Sequence, residues 1–237
     1  NTITGGTSGL DIFTVTGGAN NTITGVGADT INLSGGTTNL LGGSANTIVG
    51  GATGYTLNIS GGTNNQFTAN AGAATLNVTG GTNKLTGGTS GTDLFTISSG
   101  TNTVYGGIGA DAINISGGSN TVTGGSGVDT VSLTGGTTTF TGGTGADKIT
   151  MSGGTNTITG GTSGLDVFNI TGGTSNTITT VGADTMTITG GTNNQITSGA
   201  GGSNITISNT STNTITGGTS GLDVITASAG TNTCLLY

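Results

Sequence analysis

The chain has 237 residues, of which 53 are Gly, with no Pro, His or Trp and only 5% charged side chains, against roughly 25% in an ordinary domain. Its net charge of −7 comes from nine Asp and two Lys, so the cation clusters that nucleic acid or an anionic membrane requires are missing, and neither is expected as a partner. No apolar run approaches the roughly 18 residues of a membrane-inserted helix, and the lack of His and Glu, with a single Cys234, leaves no acid–base or nucleophile set for an enzyme and no internal disulfide.

A repeat of about eighteen residues orders this composition. Residues 106–123 read GGIGADAINISGGSNTVT, 124–141 GGSGVDTVSLTGGTTTFT and 142–159 GGTGADKITMSGGTNTIT. Each unit holds an A half, like GGIGADAINIS, and a B half, like GGSNTVT. A unit this short buries no core alone, so units must stack. The predicted fold is an all-β, right-handed parallel β-roll or β-solenoid, a single domain over 1–237.

In chain order, the sequence opens on a B-type run, NTIT. The A halves then begin near residues 5, 25, 50, 69, 87, 106, 124, 142, 160, 180, 198 and 217. That gives about twelve coils of 18–19 residues and, at about 4.8 Å per coil, a rod of roughly 55–60 Å. The stretch GGSANTIV at 42–49 breaks the scheme and reads as a local insertion. Residues 160–191 echo 5–36, as in a duplicated module. The opening in mid-repeat, without an initiating Met or signal peptide, reads as a piece of a longer array.

Alternation sets the faces. Ile113, Ile115 and Val122 point inward, three side chains per coil, while Asn114, Ser116, Thr121 and Thr123 point outward. Gly-Gly pairs form the corners, and a Phe follows three of the longer GGTSGxD corners, at Phe13, Phe95 and Phe168.

One Asp follows each typical A corner. Asp93, Asp111, Asp129, Asp147, Asp166 and Asp184 recur at 18 or 19 residues, and Asp11 and Asp29 form a second series. Tyr55, Ala74 and Ser203 interrupt the column. Stacking places these carboxylates on one edge, where neighbours repel by roughly 3 kcal/mol at an effective dielectric of 20. A hard cation between them reverses that sign. The alternative is turn chemistry, with Asp equivalent to the Asn of the B corners.

GGIGADAIN, GGSGVDTVS and GGTGADKIT resemble the GGxGxDxUx nonapeptide of RTX-type β-rolls, which bind Ca²⁺ through Asp and corner carbonyls of successive coils. The resemblance is looser at GVGADTINL, GGTSGTDLF, GGTSGLDVF and TVGADTMTI, and it occupies one edge instead of two. It implies up to six Ca²⁺ sites between neighbouring coils, held by the eight Asp residues just named, and a secreted or cell-surface bacterial protein.

The outward B positions form a second array: Thr121 and Thr123, Thr139 and Thr141, Thr157 and Thr159, Thr177 and Thr179, Thr214 and Thr216, with Thr22 and Thr24 near the start. Leu41, Lys84 and Tyr105 interrupt it. This T-x-T lattice resembles the ice-binding faces of β-solenoid antifreeze proteins, although Thr ladders also serve exposed strands for stability alone. The A face is Asn, Thr and Ser throughout, and its N-x-[ST] matches, such as Asn169 and Asn204, are formal glycan acceptors. The leading expectation is a Ca²⁺-stiffened structural rod of a surface layer, filament or adhesin stalk that self-associates end to end or side by side. Ice binding is the alternative, and adhesion to surface glycans a further one.

Overall fold

The computed structural model describes every residue except 7–9, 26, 163–164, 209–210 and 237. It is a parallel β-solenoid of two 13-stranded sheets, and successive strands alternate between them. The first sheet runs from Thr2–Thr4 to Val224–Ala227, and the second from Ile12–Val15 to Thr231–Leu235. Among the described residues no helix is long and apolar enough to cross a membrane.

The inward columns follow the alternation. In the first sheet Phe95 and Ile97 stack on Ile113 and Ile115, and these on Val131 and Leu133. In the second sheet the column Leu85, Val104, Val122, Phe140, Ile158 is continuous. All of these side chains are buried. The two sheets are therefore separated by one thin layer of aliphatic and Phe side chains, extended along the rod by stacking. Corners close through glycines in the left-handed region, such as Gly118 (φ 84°) and Gly136 (φ 75°), which a Cβ would disfavour.

The stretch at 36–50 differs from expectation. It is no insertion. It supplies a whole coil, Gly36–Leu41 in the first sheet and Thr47–Gly50 in the second, and brings the count to thirteen. It also exchanges the halves. Before it, the A-type strands Ile12–Val15 and Thr30–Leu33 lie in the second sheet, whereas after it the A-type strands from Tyr55–Ser60 onward lie in the first. The exchange is possible because both halves span similar lengths and carry an inward apolar residue at the matching position. Ile31 thus stacks on Ile48 and Ile48 on Phe67.

Two expectations change with it. Asp11 and Asp29 do not share an edge with Asp93–Asp184. Thr22, Thr24 and Leu41 do not belong to the face carrying Thr121–Thr216, because they pair within the first sheet.

Candidate functional site: two polar columns and a threonine face

The Asp column of the first sheet is buried, with Asp93, Asp111, Asp129, Asp147, Asp166 and Asp184 at most 2% exposed. Each carboxyl turns back along the rod. Its Oδ1 accepts the backbone N–H of the residue one coil earlier: Asp93 N to Asp111 Oδ1 at 2.8 Å, Asp111 N to Asp129 at 2.8 Å, Asp129 N to Asp147 at 2.9 Å, Asp147 N to Asp166 at 2.8 Å, and Asp166 N to Asp184 at 2.9 Å. Ala74 N opens the series by donating to Asp93 Oδ1. The ladder thus caps a corner N–H that would otherwise be buried without a partner. Asp223, which the sequence reading did not place in the column, resumes it after Ser203, whose N–H donates to Asp223 Oδ1 at 2.7 Å.

The second carboxyl oxygen divides the nine Asp into two groups by corner length. In the longer corners, a Gly five residues earlier donates its N–H to Oδ2: Gly6 to Asp11, Gly88 to Asp93, Gly161 to Asp166 and Gly218 to Asp223, all at 2.6–2.7 Å. In the shorter corners, Oδ2 of Asp29, Asp111, Asp129, Asp147 and Asp184 is buried without a hydrogen-bond partner. Over coils 106–143 the cause is visible. The second-sheet strands there extend through the Gly-Gly pair, as in Thr101–Gly107 and Ser119–Gly125. Gly107 then pairs with Gly125 in the ladder and does not turn inward.

Four of the short-corner carboxyls are raised above the ordinary range. Burial pushes the Asp111 carboxyl up to about 7, against the lowering effect of the Asp93 N–H, and the like charges of Asp93 and Asp129 add to the rise. Burial likewise pushes Asp147 up to about 6, with Asp129 and Asp166 adding. Asp129 and Asp184 are raised, again chiefly by burial.

Asp11 and Asp29 sit on the opposite edge and continue into the asparagine column. Asp11 N donates to Asp29 Oδ1, and Asp29 N to Asn46 Oδ1 at 3.1 Å. From there the Nδ2 of each Asn donates to the Oδ1 of the next: Asn46 to Asn65, Asn83, Asn102 and Asn120, and then Asn156 to Asn176, Asn194, Asn213 and Asn232. At the handover Asn46 accepts the backbone N–H of Asp29 as Asp29 accepts that of Asp11.

RTX-type rolls, which the corners resemble, hold Ca²⁺ between coils. Ca²⁺ takes six to eight oxygens. Here eight of the nine Asp commit Oδ1 to a backbone N–H, and four of the nine commit Oδ2. Among the described residues no three His, Cys, Asp or Glu side chains converge. The Asp side chains of the Asp93–Asp184 series and of the Asp11–Asp29 pair thus supply no such shell by themselves, and Oδ2 of Asp29, Asp111, Asp129, Asp147 and Asp184 is left without a partner.

The threonine lattice lies on the second sheet. Thr103, Thr121, Thr139 and Thr157 form one column, which continues through Thr177, Gln195 and Thr214. Thr123, Thr141, Thr159, Thr179, Thr197 and Thr216 form the other. Lys84 and Tyr105 bound it, with the Lys84 ammonium 5.9 Å from the Tyr105 ring centre. On the first sheet the hydroxyls just past the strand ends bend back onto main-chain carbonyls, Ser98 to Val78 O, Ser116 to Ile97 O and Thr134 to Ile115 O, at 3.3–3.4 Å, whereas Thr96, Ser132 and Thr150 within the strands make no such bond. Among the described residues the second-sheet hydroxyls from Thr121 to Thr216 in these two columns make no such bonds. Asn169 and Asn204 lie on outward strand positions of the first sheet.

No protein-family model matches the chain, and neither curated proteins nor solved structures give a match.

Proposed function

We propose that the chain is a structural rod, a stiff segment of a secreted or surface-exposed bacterial assembly. One observation carries this reading: the backbone ladders of both sheets run unbroken through thirteen strands each, over an apolar layer flanked for much of its length by Asp and Asn columns. Each coil is held by its neighbours on all sides. Such a molecule resists bending because any kink breaks backbone ladders in both sheets together. The nearly uncharged faces suit lateral packing against further rods. The test is the distance between spin labels at Thr47→Cys and Thr214→Cys in a Cys234→Ser background. These positions lie nine coils apart in one column, so a narrow distribution near about 43 Å is expected. A broad distribution would overturn the rod.

A second reading, ice binding, is favoured by the two adjacent threonine columns in register on the second sheet. Threonines two apart along a strand are about 6.7 Å distant, and coils repeat at about 4.8 Å. On the second sheet their hydroxyls remain available to order water in that lattice. The reading predicts thermal hysteresis, abolished by Thr141→Tyr with Thr159→Tyr while the melting temperature stays unchanged. Absence of hysteresis in the parent chain rejects it.

A further inference from the structure

Among the described residues between 106 and 224, every exposed large apolar side chain lies on one edge of the rod, the edge of the Asp93–Asp184 column. Ile108, Val128, Leu165, Val181 and Leu222 stand in its corners, 37% to 89% exposed. Val167 and Val224 flank them at the starts of first-sheet strands. The opposite edge carries none over the same coils. A continuous apolar ridge of this kind marks a surface that another molecule covers.

The ridge has a pattern of size. The residue just before each Asp position points outward because the Asp after it points inward. About a point midway between coils 142–159 and 160–179, bulky members of this column match smaller ones. Leu165 corresponds to Ala146, Val128 to Ala183, and Leu222 to Thr92. The fourth pair, Ala110 and Gly202, is small on both sides, and there Ile108 supplies the bulk two residues earlier. A column that exchanges large for small when reversed fits a second copy of itself running antiparallel. The knobs of one copy enter the gaps of the other, and the same patch serves both, as a two-fold contact requires. The axial match is built in, because both copies repeat at about 4.8 Å.

Area and charge agree with that partner. Eight coils span about 38 Å. With a corner about 15 Å across, the edge covers on the order of 500–600 Å² per copy, or about 1,000–1,200 Å² in total, the lower limit for a specific interface. The carboxyls from Asp93 to Asp184 are buried behind the ridge, so two copies of a chain with net charge −7 bring no exposed carboxylates together there. Asp223, at the far end, is half-buried. Lys148 is exposed on the first-sheet shoulder, where its long stem lets the ammonium reach water.

We propose that the Asp edge from Thr92 to Leu222 is a self-association surface, on which a second copy of this chain docks antiparallel about a two-fold axis midway between coils 142–159 and 160–179. This gives lateral packing one edge and one register, and it rests on the structural-rod reading.

The test is sedimentation velocity of the Cys234→Ser chain over a range of concentrations, with oxidative cross-linking to read the register. A concentration-dependent dimer is expected. Leu165→Lys is expected to weaken it at least about tenfold with an unchanged melting temperature, because the side chain already faces solvent. Val128→Lys is expected to do the same and serves where Leu165→Lys does not fold. In the Cys234→Ser background, Val128→Cys with Ala183→Cys is expected to yield a disulfide-linked dimer. Those positions face each other across the axis, whereas within one chain they lie three coils, about 14 Å, apart, beyond the roughly 7 Å that a disulfide spans. Val128→Cys alone is expected to give no linked dimer. Linking by that single variant would mean parallel copies and overturn the proposal, as would a dimer indifferent to both Lys variants. So would a chain that stays monomeric at its highest soluble concentration, including one that adsorbs through this edge to zwitterionic lipid vesicles instead. A monomer that still shows the narrow spin-label distance sinks the docking edge and leaves the rod standing.

Discussion

Thr138 shows how much one side chain matters in a column. It stands where the asparagine ladder needs an amide. Its hydroxyl is buried without a partner, and so is Oδ1 of Asn156 in the next coil. An amide at 138 would accept from Asn120 and donate to Asn156, as the other members do. Thr138→Asn is therefore expected to stabilise the chain by about 1–2 kcal/mol, two net hydrogen bonds, read as a rise of several degrees in melting temperature. A fall would mean that the amide cannot enter the column. The opposite change elsewhere, Asn102→Ala, leaves Asn83 and Asn120 without their partner and is expected to cost at least about 1–3 kcal/mol.

The corner is the element that distinguishes coils. A glycine there is a packing requirement as much as a conformational one. A methyl group at Gly124 would meet Gly142 O at 2.5 Å and Asp129 Oδ2 at 2.6 Å, whereas one at Gly17 meets nothing within 4 Å. Gly124→Ala is expected to destabilise by about 1–3 kcal/mol or more, and Gly17→Ala to stay within about 0.5 kcal/mol. Equal melting temperatures for the two would refute the packing argument. Much at this scale was legible in the residues. The alternation of Ile113 and Ile115 with Asn114 gave the inward columns, and the spacing of Asp93 to Asp184 gave the stack. Tyr55, Ala74 and Ser203 do stand in the Asp column. The direction of the carboxyls was not legible, because a spacing of eighteen places them one above another whether they face solvent or the neighbouring N–H. Corner length was the available signal: in GGTSGxD the second Gly of the pair stands five residues before the Asp and donates to it, whereas in GGxGxD that distance falls on the first Gly, which makes no such bond. Asp223 followed a GGTSGLD corner and could have been placed by it.

At the scale of the whole rod, each coil interacts almost only with the one before and the one after, so stability is close to a sum of neighbouring terms. Coils 106–123, 124–141 and 142–159 keep the same register. Deleting residues 124–141 is thus expected to leave a folded rod one coil shorter, with a melting temperature within a few degrees of the parent. Loss of the β-sheet circular dichroism signal would show that the coils are not interchangeable. The exchange of halves at 36–50 escaped the sequence for a related reason. A-type and B-type strands have similar length and inward residues, so nothing local says which sheet a strand joins, and only the count of strands between like units decides it.

That exchange has a consequence for any surface the rod meets. Before it, the T-x-T strand with Thr22 and Thr24 faces one side; after it, the strands from Thr121 to Thr216 face the other. The reach of each face is then set by where the crossover falls and not by how long the chain is. Shifting that one coil up or down the array would lengthen one face and shorten the other in a molecule of constant size, which makes its position a gauge of contact area.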